Sequence, residues 1–169
     1  MPQVKANGLS IYYETHGPDD GEPVLLIMGL GAQMSRWSPE LIGKLTAAGH
    51  RVIAFDNRDV GLTEKLDSAG APDIREVVAA VAQGRTPPVA YTLSEMAADA
   101  AGLLEALDIE RAHIVGASMG GMIAQLVAAD FPERTLSLTS IMSGDQRLIC
   151  APSPMISRIG SALSGPWLS

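Results

Sequence analysis

The chain has little cysteine, little aromatic content and little positive charge. Its single cysteine, Cys150, rules out an internal disulfide, and redox chemistry demands no particular compartment. Aromatic residues make up 4% and charged residues 18% of the 169 positions. Lys and Arg number 12 against 19 Asp and Glu, for a net charge of −7. An acidic chain without a basic cluster argues against nucleic acid and anionic membrane surfaces as partners. No apolar run approaches the roughly 18 residues needed to span a bilayer. Met1-Pro2-Gln3-Val4-Lys5 lacks the charged-then-apolar pattern of a secretory leader, so a soluble, cytoplasmic protein is expected.

What is present is a globular composition. Hydrophobic residues make up 47%, and the length suits one domain with a sizeable core. Gln3 to Ala6 and Leu9 to Thr15 read as strands around the hairpin turn Asn7-Gly8. Val24 to Met28 and Arg51 to Phe55 are continuous apolar runs, as in strands covered on both faces. Between them, Ser38-Pro39-Glu40 starts a helix with a hydroxyl cap, a proline and an acid at the positive end of the dipole. That helix is expected to end near Ala48, before Gly49.

A short helix is expected over Ile74 to Ala82, broken by Gly84 to Pro88. Thr92-Leu93-Ser94-Glu95 is a capping box. It opens a helix whose stripe is Leu93, Met96, Ala97, Ala100, Leu103, Leu104 and Leu107. Ala112 to Gly116 is the next strand, Met119 to Ala129 the next helix and Leu136 to Met142 the last clear strand. This alternation predicts an α/β fold: a mainly parallel sheet with helices on both faces. Composition shifts near residue 144. Residues 1–143 read as a core, and 144–169 as an atypical tail rich in Ser, Pro and Gly.

The chemistry concentrates at Gly116-Ala117-Ser118-Met119-Gly120. A G-x-S-x-G run between a strand and a helix is a nucleophile elbow. The turn is so tight that side chains at Gly116 and Gly120 would meet neighbouring backbone. Ser118 is held in a strained conformation costing about 1–3 kcal/mol. Its hydroxyl is lifted over the N-terminus of the next helix, where the dipole favours negative charge. The alternative is an ordinary small-residue loop. Met28-Gly29-Leu30-Gly31, after the first buried strand, is placed to lend one oxyanion-hole amide; it also reads as a plain glycine turn.

These motifs, together with Phe55-Asp56-Asn57-Arg58-Asp59-Val60-Gly61, resemble the α/β-hydrolase superfamily over about residues 3–143. The esterase branch of aclacinomycin methylesterase-like and lactonase-like enzymes is the most similar in flavour. The resemblance implies cofactor-free hydrolysis of a small-molecule carboxylic ester or lactone through an acyl-enzyme at Ser118. The backbone amides of Leu30 and Met119 would form the oxyanion hole. A serine nucleophile separates the chain from branches that use aspartate.

There are two departures from the family pattern. Met28 stands where a structural histidine is common. More seriously, His16, His50 and His113 all precede Ser118, whereas the family's catalytic histidine follows the serine and the acid. His113 begins the strand that Ser118 ends, and five residues of strand span roughly 16 Å. His50 also enters a strand at the wrong edge, and His16 sits in an early turn. All three read as surface or turn residues. Among later acids, Asp130 and Glu133 flank the far end of the helix after the elbow. Asp145 follows the last strand at the edge where active sites lie, so it is a candidate acid, with a solvated loop residue as the alternative.

Asp56, Arg58 and Asp59 read either as a charged site or, preferably, as a network holding a loop beneath the pocket. Trp37 and Met34 either line an acyl pocket or cap the core. The α/β-hydrolase fold thus reads as truncated after the strand that follows the nucleophile helix. That strand is then expected to be an exposed apolar edge that invites homo-oligomerisation. Three readings follow: a working esterase, a hydrolase fragment lacking its histidine, or a binding protein on a hydrolase scaffold.

Overall fold

The computed structural model describes residues 2–67, 70 and 72–144. The described residues divide into two units, one drawn from residues up to 70 and from 90–144, the other from 72–89. In the smaller unit, helix α2 (Ile74–Ala82) starts where the Asp73 carboxylate accepts from the Arg75 amide at 2.9 Å.

The larger unit holds a six-stranded sheet. Its strands are β1 (Gln3–Ala6), β2 (Leu9–His16), β3 (Glu22–Ile27), β4 (His50–Phe55), β5 (Ala112–Ala117) and β6 (Thr135–Ile141), in the order β1-β2-β4-β3-β5-β6. The first hairpin is antiparallel, as is β2 against β4. The other three pairings, β4-β3, β3-β5 and β5-β6, are parallel. Asn7 and Gly8 both take positive φ, the geometry that lets a two-residue hairpin follow the twist of its strands.

Both sheet faces are covered because alternate side chains of the central strands point to opposite sides. On one face Leu25, Ile27, Ile53, Phe55, Ala112 and Ile114 meet the apolar stripes of α3 (Leu93–Ala106) and α4 (Met119–Asp130). On the other, Val24, Leu26, Val52 and Ala54 meet Met34, Trp37 and the partly buried Leu41, Ile42 and Leu45 of α1 (Pro39–Ala47) and the segment before it. Trp37 and Met34 are therefore core residues in this structure. Burying each large side chain contributes about 1.5–3 kcal/mol.

The caps follow the residues. Ser38 Oγ accepts from the amides of Glu40 and Leu41, with Pro39 in the first turn. The Glu95 carboxylate accepts from both the amide and the hydroxyl of Thr92, which lowers the Glu95 pKa below its ordinary value. Among the described residues, no helix is long and apolar enough to cross a membrane. Among the described residues β6 is the last strand of the sheet, with Leu136 and Leu138 38% and 40% exposed.

Candidate active site

Ser118 occupies the single residue between β5 and α4. Its backbone sits at φ 55°, ψ −125°, a region a side-chain-bearing residue reaches only under constraint. The constraint is visible. The Ser118 amide donates to the Ile141 carbonyl of β6 at 2.8 Å, and its carbonyl accepts from Gly121 at 2.9 Å. A methyl group at Gly116 would run into the Gly120 carbonyl, and one at Gly120 into the Ile27 carbonyl. At Gly121 it would lie 2.6 Å from Ser143 Cβ. The glycines let helix, strand and elbow approach at backbone contact, and Ser118 is left exposed above them.

The hydroxyl faces the loop after β3. A Cβ built on Gly29 would stand 3.1 Å from Ser118 Cβ and 3.5 Å from Ser118 Oγ. In that loop the Ala32 amide donates to the Gly29 carbonyl at 3.2 Å, closing a turn in which Gly31 has φ +64°. A positive φ at the third position of a turn is a glycine property. The Leu30 amide has no protein acceptor among the described residues. Met119 is the first residue of α4, where no acceptor exists within the helix. The Met119 amide directly follows Ser118 in the chain, and the Leu30 amide belongs to the loop whose Gly29 approaches Ser118.

The histidines stand at the other edge. His113 Nε2 lies 3.1 Å from Glu22 Oε2, and its Nδ1 lies 2.7 Å from Ser137 Oγ. His50 Nδ1 lies 3.2 Å from the Glu22 carbonyl oxygen, and its ring stands edge-on to His113 at 5.8 Å. These are the N-terminal ends of β3, β4, β5 and β6. His16 pairs with Glu14 at 3.7 Å and is in register with Val52, again toward that end. Asp130 ends α4 and Glu133 lies in the short 3₁₀ turn after it, as their positions implied. Asp145 lies outside the described residues.

The charged motif after β4 works as a brace. Asp56 accepts from the Met34 amide at 2.8 Å and from the Leu62 amide at 3.0 Å. Arg58 and Asp99, 8% and 2% exposed, form a two-pronged ion pair at 2.6 and 2.7 Å. Asn7 donates to the same carboxylate at 2.8 Å. Burial works to lower the Arg58 pKa, but the bond and charge of Asp99 outweigh it and raise the value. The guanidinium lies 4.9 Å from the Tyr91 ring centre. Burial first, and the Asp59 hydrogen bond next, push the Tyr91 phenol up to about 12.

Two partners carry no marked local signal. Gln125 of α4 donates toward Ser140, Ser143 and the Gly144 carbonyl at 3.1–3.3 Å, tying the segment after β6 to the elbow helix. Asn57, inside the quoted motif, donates to the Met28 carbonyl at 2.8 Å. Only the folded chain shows that a residue after β4 reaches the loop after β3.

The chain is similar to the rhodomycin D methylesterase DnrP of Streptomyces peucetius, with 35% identity over 80% of this chain and 40% of the relative. It is 37% identical to RutD of Variovorax paradoxus, named as a candidate carbamate hydrolase, over 79% of this chain and 42% of that one. The chain thus spans less than half the length of these curated relatives. Among solved structures, the meta-cleavage product hydrolase CumD of Pseudomonas fluorescens IP01 superposes with a TM-score of 0.66 at 26% identity, over 85% of this chain and 45% of its own. The enol-lactonase of Burkholderia xenovorans LB400 matches at 0.66 and 22% identity, over 97% and 54%, which speaks to the fold alone. Residues 22–159 match the alpha/beta hydrolase fold family, a span that runs past the change in composition near residue 144. The chain belongs to the alpha/beta hydrolase fold family.

Proposed function

We propose that this chain carries the nucleophile of a serine hydrolase that acts on a carboxylic ester or lactone. The observation behind it is the exposed Ser118 at φ 55°, ψ −125°, with its hydroxyl beside Gly29. Ser118 Oγ attacks the acyl carbon and forms the new C–O bond. The carbonyl oxygen takes the negative charge between the Leu30 and Met119 amides, strengthened by the α4 dipole. Collapse expels the alcohol and leaves an acyl-enzyme, which water then hydrolyses back to Ser118 and the acid. DnrP is named for a methyl ester, an acyl substrate with an oxygen leaving group.

The proton on Oγ needs an acceptor, and His16, His50 and His113 stand at the opposite edge. Full turnover therefore requires a base other than these three, and Asp145 is the chain's candidate for the acid that would orient it. With an activated reagent, such as a fluorophosphonate, fluoride leaves and solvent takes the proton. We expect stoichiometric labelling of Ser118 by that probe, lost in Ser118→Ala. An unlabelled, folded wild-type chain sinks the proposal. Slow hydrolysis of p-nitrophenyl acetate, abolished by the same substitution, would support turnover.

The placement of the histidines favours a second reading, a ligand-binding scaffold without chemistry. It requires binding of a small ester that Ser118→Ala leaves unchanged, with no turnover. As a further proposal, the partly exposed β6 edge pairs with a second copy of the chain. Light scattering that finds only monomer at high concentration counts against that.

A further inference from the structure

We infer that Asn57 is a positioning residue for the oxyanion loop, which holds the peptide planes of residues 28–31 so that the Leu30 amide faces the acyl oxygen. The inference rests on the serine hydrolase reading of Ser118.

Asn57 follows the end of β4 and is 2% exposed. Its Nδ2 donates to the Met28 carbonyl at 2.8 Å. The same oxygen is lodged against the elbow helix, since a Cβ on Gly120 would stand 2.7 Å from it. The neighbouring side chain, Asp56, holds the far end of the segment by accepting from the Met34 amide at 2.8 Å. Two adjacent residues at the tip of one strand thus grip both ends of the loop that follows the next strand.

Between those grips, peptide planarity transmits the constraint. With the Met28 carbonyl fixed by Asn57, the Gly29 amide must point the opposite way. The Gly29 carbonyl is turned toward the Ala32 amide at 3.2 Å, so the Leu30 amide points away from that turn. Both planes that set the donor are held by hydrogen bonds, and the first of them belongs to Asn57.

Asn57 does not reach the reacting atoms itself. β3 lies between β4 and β5 in the sheet, so Asn57 and Ser118 leave strands about 10 Å apart. Any effect on chemistry passes through the loop. A displaced donor forfeits charge stabilisation that exists only when the oxyanion forms, so the loss falls on the chemical step rather than on ground-state binding.

The test uses the full chain with Asn57→Ala and the near-isosteric Asn57→Asp, which sets a carboxylate against the Met28 carbonyl. Fluorophosphonate labelling at saturating and at low probe separates the maximal rate from the half-saturating concentration. A loss of roughly 10- to 100-fold in the maximal rate, with the half-saturating concentration little changed, is expected. Hydrogen exchange should quicken in residues 28–32 and stay as in wild type across residues 113–127. Wild-type labelling rates in a folded Asn57→Asp overturn the inference. So does faster exchange in both segments together, which would mark a general packing role. A wild-type chain that never labels defeats the hydrolase reading instead. In that case unchanged exchange in the loop of Asn57→Asp still overturns the positioning role, and quickened exchange confined to the loop supports the mechanical part of it.

Discussion

At one end of β5 His113 rests between Glu22 and Ser137, with His50 edge-on to it; at the other end Ser118 is bent into a positive φ above a floor of glycine. The first end has reactive side chains on residues of ordinary negative φ. The second has one hydroxyl and a backbone bent to aim it. A histidine paired with a carboxylate and a hydroxyl looks like catalytic equipment when written as a set of residue types. The folded chain shows it as a cross-strand brace at the N-terminal edge. In this fold the edge a residue reaches decides its surroundings: the bend at Ser118 lies at the C-terminal edge and the histidines at the other.

The edges also differ in how they hold charge, and the largest expected effect tests that difference. Asp99→Ala strands a buried guanidinium below the loop that follows β4. It should cost about 3–5 kcal/mol in urea unfolding, far more than Glu22→Gln at the exposed N-terminal edge, where about 1 kcal/mol or less is expected. Next comes the elbow itself. Gly116→Val drives a side chain into the Gly120 carbonyl, and a loss of about 3 kcal/mol in the same measurement, with labelling abolished, is expected.

Ser118→Gly should move stability the other way. It removes the side chain from a strained position, so a gain of about 1–3 kcal/mol accompanies loss of labelling. A Ser118→Gly chain no more stable than wild type would mean that the bend is not strained. His113→Gln sits lower on the scale. It should leave the labelling rate within twofold and change stability by about 1 kcal/mol or less. Should labelling collapse in that variant, the two ends of β5 are not independent.

A further effect appears only in alkali. The Tyr91 phenol ionises near 12 in the fold against about 10 unfolded, so the folded form holds its proton longer. Its contribution is fully present below pH 10 and is lost as pH rises toward 12. Ultraviolet titration of the phenols should show a late group near 12 that Tyr91→Phe removes.

Most of the architecture was legible in the residues because local patterns and burial agree. The continuous apolar runs of β3 and β4 are buried on both faces, and the Thr92–Glu95 box caps α3. The elbow was legible for the same reason. Gly116, Ser118 and Gly120 lie within five residues, and the steric demand that selects them is local. Strand direction put His50 and His113 at the N-terminal edge; His16, read as a turn residue, is the last residue of β2. Trp37 and Met34 had two readings, and packing against Val24 and Leu26 decided for the core. What the sequence determined by itself is what neighbouring residues impose on one another: strands, helices, caps and the bend at Ser118. Only the tertiary structure decided that Asn57 meets Met28, that Asp56 meets Met34 and that Arg58 meets Asp99. Those contacts join segments far apart in the chain, and they exist because the sheet order places β4 beside β3 and brings α3 across the strands.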